Sequence, residues 1–429
     1  MQVFLFCIYL LLFSSFFYVY RTEKNTGFSI QIIIGVFILK VLAGCLNLYI
    51  HEREYVSNDI RFYHLQALED LSKLSTEPSF FWKQFLFNWG DITHHLNIFS
   101  TVDSVYWSDL GNSVHTKFMV LSDIFSMGNP FVNVIFFNVI YFFGQLLLYK
   151  TCYSIQPQKK ILFFITIFMI PSVLFWCSGI HKDGWVLSAI GCIVYFTNAC
   201  LKSKKLSTFF FFFCSLFFLL MSRYFYLLCL LPPLIIWISI SYFKPIKKFT
   251  TFLLSYTCLL ILLFSMKWIT NSHIDLLQII IHKQEGFFLL KGYSDMNTPA
   301  LANNIQSFCK NFPSALDHIL LQPVFKLGNP IKYIFAAVDT YLVLFFIVIL
   351  GLHVQFKKSQ DTLFYFLLFF SFSVYLFIGY TIPNCGALVR YKSEFTALLL
   401  PALVGLSEVP IFDKLILSIA TIGKRIKHT

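Results

Sequence analysis

The feature that most limits what this chain can fold into is a succession of apolar runs, each about as long as a bilayer is thick. They lie near 1–20, 28–50, 131–149, 161–177, 185–201, 207–222, 224–242, 249–266, 334–352, 362–380 and 394–411. A helix needs about 20 mostly apolar residues to cross the hydrocarbon core. Backbone polar groups in lipid must be satisfied within the segment, so such runs are helical. The alternating pattern of barrel strands is absent. Hydrophobic residues make up 57% of the 429, and charged residues 13%. That excludes a disordered chain or a disulfide scaffold and argues against a soluble globular protein. The first run lacks a basic leader and a small-residue cleavage site, so it reads as a span. The expected fold is therefore an all-α polytopic membrane protein with about 11 transmembrane helices.

The net charge of +12 is explained by where the charges sit. Six short segments (21–26, 150–160, 202–206, 243–248, 353–361 and the tail from 412) carry seventeen Lys and Arg against three carboxylates, Glu23, Asp361 and Asp413. Every second loop belongs to this set. Basic loops stay in the cytoplasm, so the N-terminus is expected outside and the C-terminus inside. Nucleic acid is not needed to explain the charge; membrane lipids are the expected surroundings.

Five stretches follow: helices 1 and 2 over 1–50, an outer segment over 51–130, helices 3–8 over 131–266, a second outer segment over 267–333, and helices 9–11 with a basic tail over 334–429. Cytoplasmic loops are too short to hold a site, which places any chemistry on the outer face. Ile60, Tyr63, His64, Ala67, Leu68 and Leu71 recur at helical spacing, and 79–90 suits a helix lying in the interface. Pro299, Pro313, Pro323 and Pro330 break 267–333 into short helices.

Four places on that face carry candidate residues. Asp59 starts a helix just beyond the second span, with Tyr63 and Ala67 stacked on the same face. Either Asp59 is a general base toward an acceptor hydroxyl or amine, or Asn58 or Asp59 is the N-cap of the helix that follows. In PSVLFWCSGIHKDGW (171–185), Pro171 ends or kinks a span, and His181, Lys182 and Asp183 sit at a turn. Lys182 beside a helix N-terminus invites an anion, unless it simply snorkels. In NCGALVRYKSEF, Arg390 and Lys392 flank Tyr391 and suit a phosphate at headgroup depth. Alternatively, Arg390 pairs with Glu394 one turn away. Arg223 occupies a minimal turn between two spans. Lys40 and Glu408 lie near span ends, where snorkelling explains them; Asp339 lies within a span. Adjacent His94 and His95 near Asp91 point apart, with no third ligand spaced to help, so no metal is expected there. Cys309 and Cys385 are free to pair, but nothing in the spacing requires it.

The pattern D-x-x-x-Y-x-x-x-A from Asp59 to Ala67 resembles the first outer loop of GT-C-type membrane glycosyltransferases. Many of these carry a second acid where Ile60 stands. The stretches P-S-x-x-F-W-x-S-G-x-x-K-D (171–183) and G-x-x-x-R-Y-K (386–392) resemble bacterial membrane glycosyltransferases and polysaccharide polymerases. The resemblance implies a glycosyltransferase of the bacterial inner membrane with a GT-C-like fold and two long outer loops. Its donor would be a polyprenyl-phosphate- or diphosphate-linked sugar, its acceptor a surface glycan or lipid, and a divalent metal is compatible with it. Asp59 would be catalytic, Arg390, Lys392, Lys182 and Arg223 would hold donor phosphate, and Tyr63, His64, His181, Asp183 and Tyr391 would support them. An O-antigen or exopolysaccharide repeat-unit polymerase fits the same motifs, and a lipid-linked glycan flippase is the competing non-enzyme reading.

Overall fold

The computed structural model describes residues 1–20, 22–54, 59–87, 101–245, 247–270, 275–290, 294–325, 331–356 and 361–408. Among them the chain is helical, and its only strand-like pairing is two isolated bridges. Eight helices of the described residues are long and apolar enough to cross a membrane. In order the helices are α1 (Gln2–Val19), α2 (Ile30–Glu54), α3 (Asp59–Thr76), α4 (Pro78–Phe87), α5 (Thr101–Ser126), α6 (Pro130–Ile155), α7 (Lys160–Phe164) and α8 (Pro171–Trp176). There follow α9 (Lys182–Lys202), α10 (Leu206–Phe243), α11 (Lys248–Ile269), α12 (Leu276–Phe288), α13 (Ile305–Leu320), α14 (Ile331–Leu352), α15 (Thr362–Thr381) and α16 (Cys385–Leu406).

The centre of the bundle is α6, α9, α10, α15 and α16. α6 and α9 cross at Gly144 and Gly191, where a Cβ on Gly191 would lie 2.1 Å from the Gly144 carbonyl oxygen. Small residues let membrane helices approach this closely, because dispersion rather than water exclusion holds them. α1 and α11 bury little of their surface, and their apolar side chains face outward, as lipid-facing helices do.

Two sequence expectations acquire a geometry. Pro171 does break its span: a π-turn over Ile165–Met169 ends at an extended Ile170, and α8 restarts at the proline. Proline cannot donate to the preceding turn, so the ladder is interrupted there. Arg223 also marks a break, with φ −155° and ψ 90° inside an otherwise helical α10.

The loops sort to two ends. At one end Lys159 Nζ donates to the Val404 and Ser407 carbonyls at 2.9 and 2.6 Å, and Gln156 Nε2 to Gly405 O at 3.0 Å. Tyr149 OH donates to Thr26 O at 2.9 Å, and Gln355 N to Leu406 O at 2.9 Å. Asp361 lies within electrostatic reach of both Lys202 and Lys248. The two ends of α10 therefore return to the same side of the bundle, and Arg223 marks the far point of the excursion. The basic loops that are described share this end; the tail from 412 lies outside the described residues.

Candidate functional site

At the other end, α3, α5, the turn before α9, the break in α10, α12 and α16 converge. The turn at 177–181 is fixed by polar groups from two helices. Lys40 donates to Cys177 O at 3.0 Å and to Ser178 Oγ at 2.8 Å, and Asn138 Nδ2 donates to Ser178 O at 2.7 Å. Tyr141 OH donates to His181 O at 2.8 Å. Lys40 is thus fully buried and caps a helix end. This corrects the snorkelling expectation: carbonyls freed at the turn offer the ammonium a nearer partner than the headgroups.

The turn delivers Asp183 into the bundle, where it is wholly buried and bridges two arginines. Arg223 Nη2 donates to Asp183 Oδ1 at 2.7 Å, and Arg390 Nε to Asp183 Oδ2 at 2.6 Å. Arg390 also reaches outward, its Nη1 donating to Asp59 Oδ2 at 2.9 Å. The three segments 51–75, 178–184 and 381–394 therefore meet through one guanidinium. Its fork suits this task, since two acids on different segments need two donors on one rigid plane. Arg223 lies over the Tyr391 ring at 4.2 Å, and Arg390 over Trp176 at 6.0 Å.

Asp59 is the acid that water reaches: its side chain is 57% exposed, whereas Asp183 is 0% exposed. Burial works to raise the Asp59 carboxyl, but the Arg390 charge and hydrogen bond prevail and hold it below the usual range. It is therefore ionised at neutral pH. The N-cap alternative through Asn58 lies outside the described residues. Asp59 itself is the first helical residue, and its Oδ2 is turned to Arg390.

The remaining expected residues divide. Lys182 Nζ donates to Asn112 Oδ1, which also accepts from Tyr63 OH at 2.7 Å. Burial raises the Tyr63 phenol, keeping it neutral. His181 turns into the bundle, Nε2 toward Asn47 Oδ1 at 3.0 Å, away from the acids. His64 sits on α3 with a buried Nδ1 that has no hydrogen-bond partner among the described residues, and burial lowers its pKa. Lys392 departs from the expected phosphate-binding set. It donates to Ile319 O at 3.2 Å and Gln322 O at 2.7 Å, closing the end of α13. Two positions along a helix are about 200° apart, so Lys392 and Arg390 face opposite sides. Glu394 is fully buried but receives no hydrogen bond from Arg390; the i,i+4 pair does not form.

Three groups were missed. Asn112 and His115 share a face of α5, whose Gly111 lets that helix press against the break in α10, a Cβ there lying 2.8 Å from Ser222 O. Lys283 of α12 lies 5.0 Å above the Phe225 ring and 5.4 Å above Phe287. The available signal for the first two was polar residues at helical spacing in 111–116; Lys283 offered none.

Asp91, His94 and His95 lie outside the described residues. Among the described residues no group of three His, Cys, Asp or Glu is arranged to hold a metal, and no disulfide joins Cys309 to Cys385. No protein-family model matches this chain, and neither a curated protein nor a solved structure matches it, so the site is read from its own geometry.

Proposed function

We propose that this protein is an integral-membrane glycosyltransferase that works at the end of the bundle opposite the basic loops. In this reading α7–α8 and α16 each complete a span and α10 supplies two, giving eleven spans. The basic end is cytoplasmic and the site faces outward from a bacterial inner membrane. The donor is a polyprenyl-phosphate- or diphosphate-linked sugar; the acceptor is a glycan or lipid hydroxyl.

One observation carries this reading. A single water-exposed carboxylate, Asp59, stands at the mouth of a cluster that gathers four cations, Lys182, Arg223, Lys283 and Arg390, with the acids Asp59, Asp183 and Glu394 among the described residues. Transfer from a lipid phosphate needs both features. Asp59 takes the proton as the acceptor oxygen attacks the anomeric carbon. The bond from that carbon to the phosphate oxygen breaks, and the oxygen leaves with the electron pair. Fixed positive charge around that oxygen stabilises the transition state more than the ground state. Trp176, Tyr391 and Tyr63 supply aromatic faces beside the charges, suited to sugar rings.

The test is glycan formation by the purified protein in detergent, offered polyprenyl-phosphate sugars and polyprenyl-diphosphate repeat units in parallel. Asp59→Asn should lower turnover by roughly 10²–10⁴ with unchanged thermal denaturation. Transfer from neither donor, with movement of lipid-linked glycan across proteoliposomes, would replace this reading with a transporter. Orientation is checked by labelling Gln156→Cys and Ala300→Cys in a cysteine-free background; the first should be reachable only from the cytoplasm and the second only from outside.

A further inference from the structure

The arginines of this site are already occupied. Arg223 is spent on Asp183, and Arg390 on Asp183 and Asp59. The lysines are different. Among the described residues no carboxylate pairs with Lys182 or Lys283. Lys182 has a neutral amide, Asn112, and Lys283 has only ring faces. The two lysines are near enough for their charges to interact, and Arg223 acts on both. Holding like charges this close is unfavourable; Asp59 offsets part of it at Lys182, and an anion joining the two lysines would offset more.

A third donor lies beside them. Trp185 Nε1 donates to His115 Nδ1 at 3.1 Å, so the neutral imidazole carries its proton on Nε2. That Nε2 is buried and has no hydrogen-bond partner among the described residues. Burial first, and then the Lys182 charge, push His115 down to about 3, so the ring stays neutral. A buried N–H without an acceptor is unfavourable, because it has given up its water without a replacement. The His115 ring lies against Tyr63, centroids 4.7 Å apart, and Tyr63 shares Asn112 with Lys182, so His115 and Lys182 adjoin the same side chains.

We infer that Lys182, Lys283 and the His115 Nε2–H form the seat for a phosphate-bearing anion, and that Arg223 and Arg390 are positioning residues that hold Asp183 and Asp59. Two ammonium groups that pair with no carboxylate among the described residues, beside an N–H that has no acceptor among them, match a group with several anionic oxygens and a double charge. The assignment deepens the transferase reading and rests on it only for what the anion is attached to.

Binding separates the two ideas, because it needs no turnover. Full-length protein in phosphatidylcholine nanodiscs is titrated with farnesyl diphosphate and inorganic pyrophosphate, and separately reconstituted with added phosphatidylglycerol as competitor. Thermal denaturation of every variant verifies folding. Lys182→Gln and Lys283→Gln should each weaken diphosphate binding about tenfold or more, and Lys283→Arg should restore it. The exposed Lys310→Gln should leave it unchanged. Arg390→Lys should lower kcat with little change in diphosphate affinity, because one ammonium cannot span both acids. A stronger response to farnesyl diphosphate than to pyrophosphate supports the seat and identifies an isoprenoid ligand; equal responses support it and identify free diphosphate; displacement by phosphatidylglycerol supports it and identifies a headgroup. No binding of any probe, or folded lysine variants that bind like the wild type, would overturn the seat. So would Arg390→Lys weakening affinity more than either lysine change. Binding without any glycosyl transfer would remove the transferase reading and keep the seat.

Discussion

The two ends of this bundle use charge in opposite ways. At the basic end, lysines stand in water or close helix ends: Lys204 and Lys205 are exposed, and Lys159 donates to carbonyls at the end of α16. At the other end the charges are turned inward and bound to one another across segments distant in sequence. Asp183 and Arg390 are 207 positions apart, and Asp59 and Arg390 331. A lysine in water costs little and reports orientation. A guanidinium taken out of water must be paid for by acids placed around it, and such placement needs a fold. The contrast separates charges that orient a membrane protein from charges that build a site.

The largest effect that would break this contrast is expected at Asp183. Asp183→Asn keeps the shape but leaves two buried guanidiniums short of an acid. Stability should fall by about 3–5 kcal/mol, read from denaturant unfolding in mixed micelles. A variant as stable as the wild type would mean the cluster is not what holds this end together. Lys159→Gln at the basic end should cost less, about 1.5 kcal/mol, the low end for hydrogen bonds from a charged group because the side chain is only partly buried. A loss as large as that of Asp183→Asn would erase the distinction between the ends.

A subtler effect sharpens it. Burial and the nearby Arg223 charge lower Lys283 to about 8, below the lysine range near 10.4. The unfolded chain therefore binds more protons between those values, so stability should rise as pH increases through that window. Diphosphate affinity should fall several-fold over the same range as Lys283 loses its charge. Titrations of binding and of unfolding from pH 7 to 10 should move in opposite directions, and Lys283→Gln should reduce both slopes. The smallest effect belongs to the exposed basic loops: Lys204→Gln with Lys205→Gln should leave the melting temperature unmoved.

How much of this was legible beforehand depends on the range of the interaction. The apolar runs correspond to helical segments, because satisfying the backbone in lipid is a local requirement that each segment meets alone. The break at Pro171 was legible for the same reason, since the missing N–H belongs to the residue itself. The meeting of Asp59, Lys182, Asp183, Arg223 and Arg390 at one end was legible in part, as charges on alternate loops must share a side. Their pairing was not. Local spacing offered Arg390 a partner at Glu394, and the fold gave it Asp183 and Asp59 instead. Lys392 lies beside Arg390 in sequence, yet helical geometry sends it to α13.

The sequence by itself therefore determined the helices, their apolar faces and the sorting of loops to two ends, because hydrocarbon and water act on every residue independently of its distant neighbours. Only the tertiary structure decided which charges meet. The partners of Asp183 and the placing of Lys283 and His115 beside Lys182 depend on how α3, α5, α10, α12 and α16 pack. That packing is fixed by close contacts such as Gly144 on Gly191, whose range is a few ångströms and whose sequence separation is unrestricted.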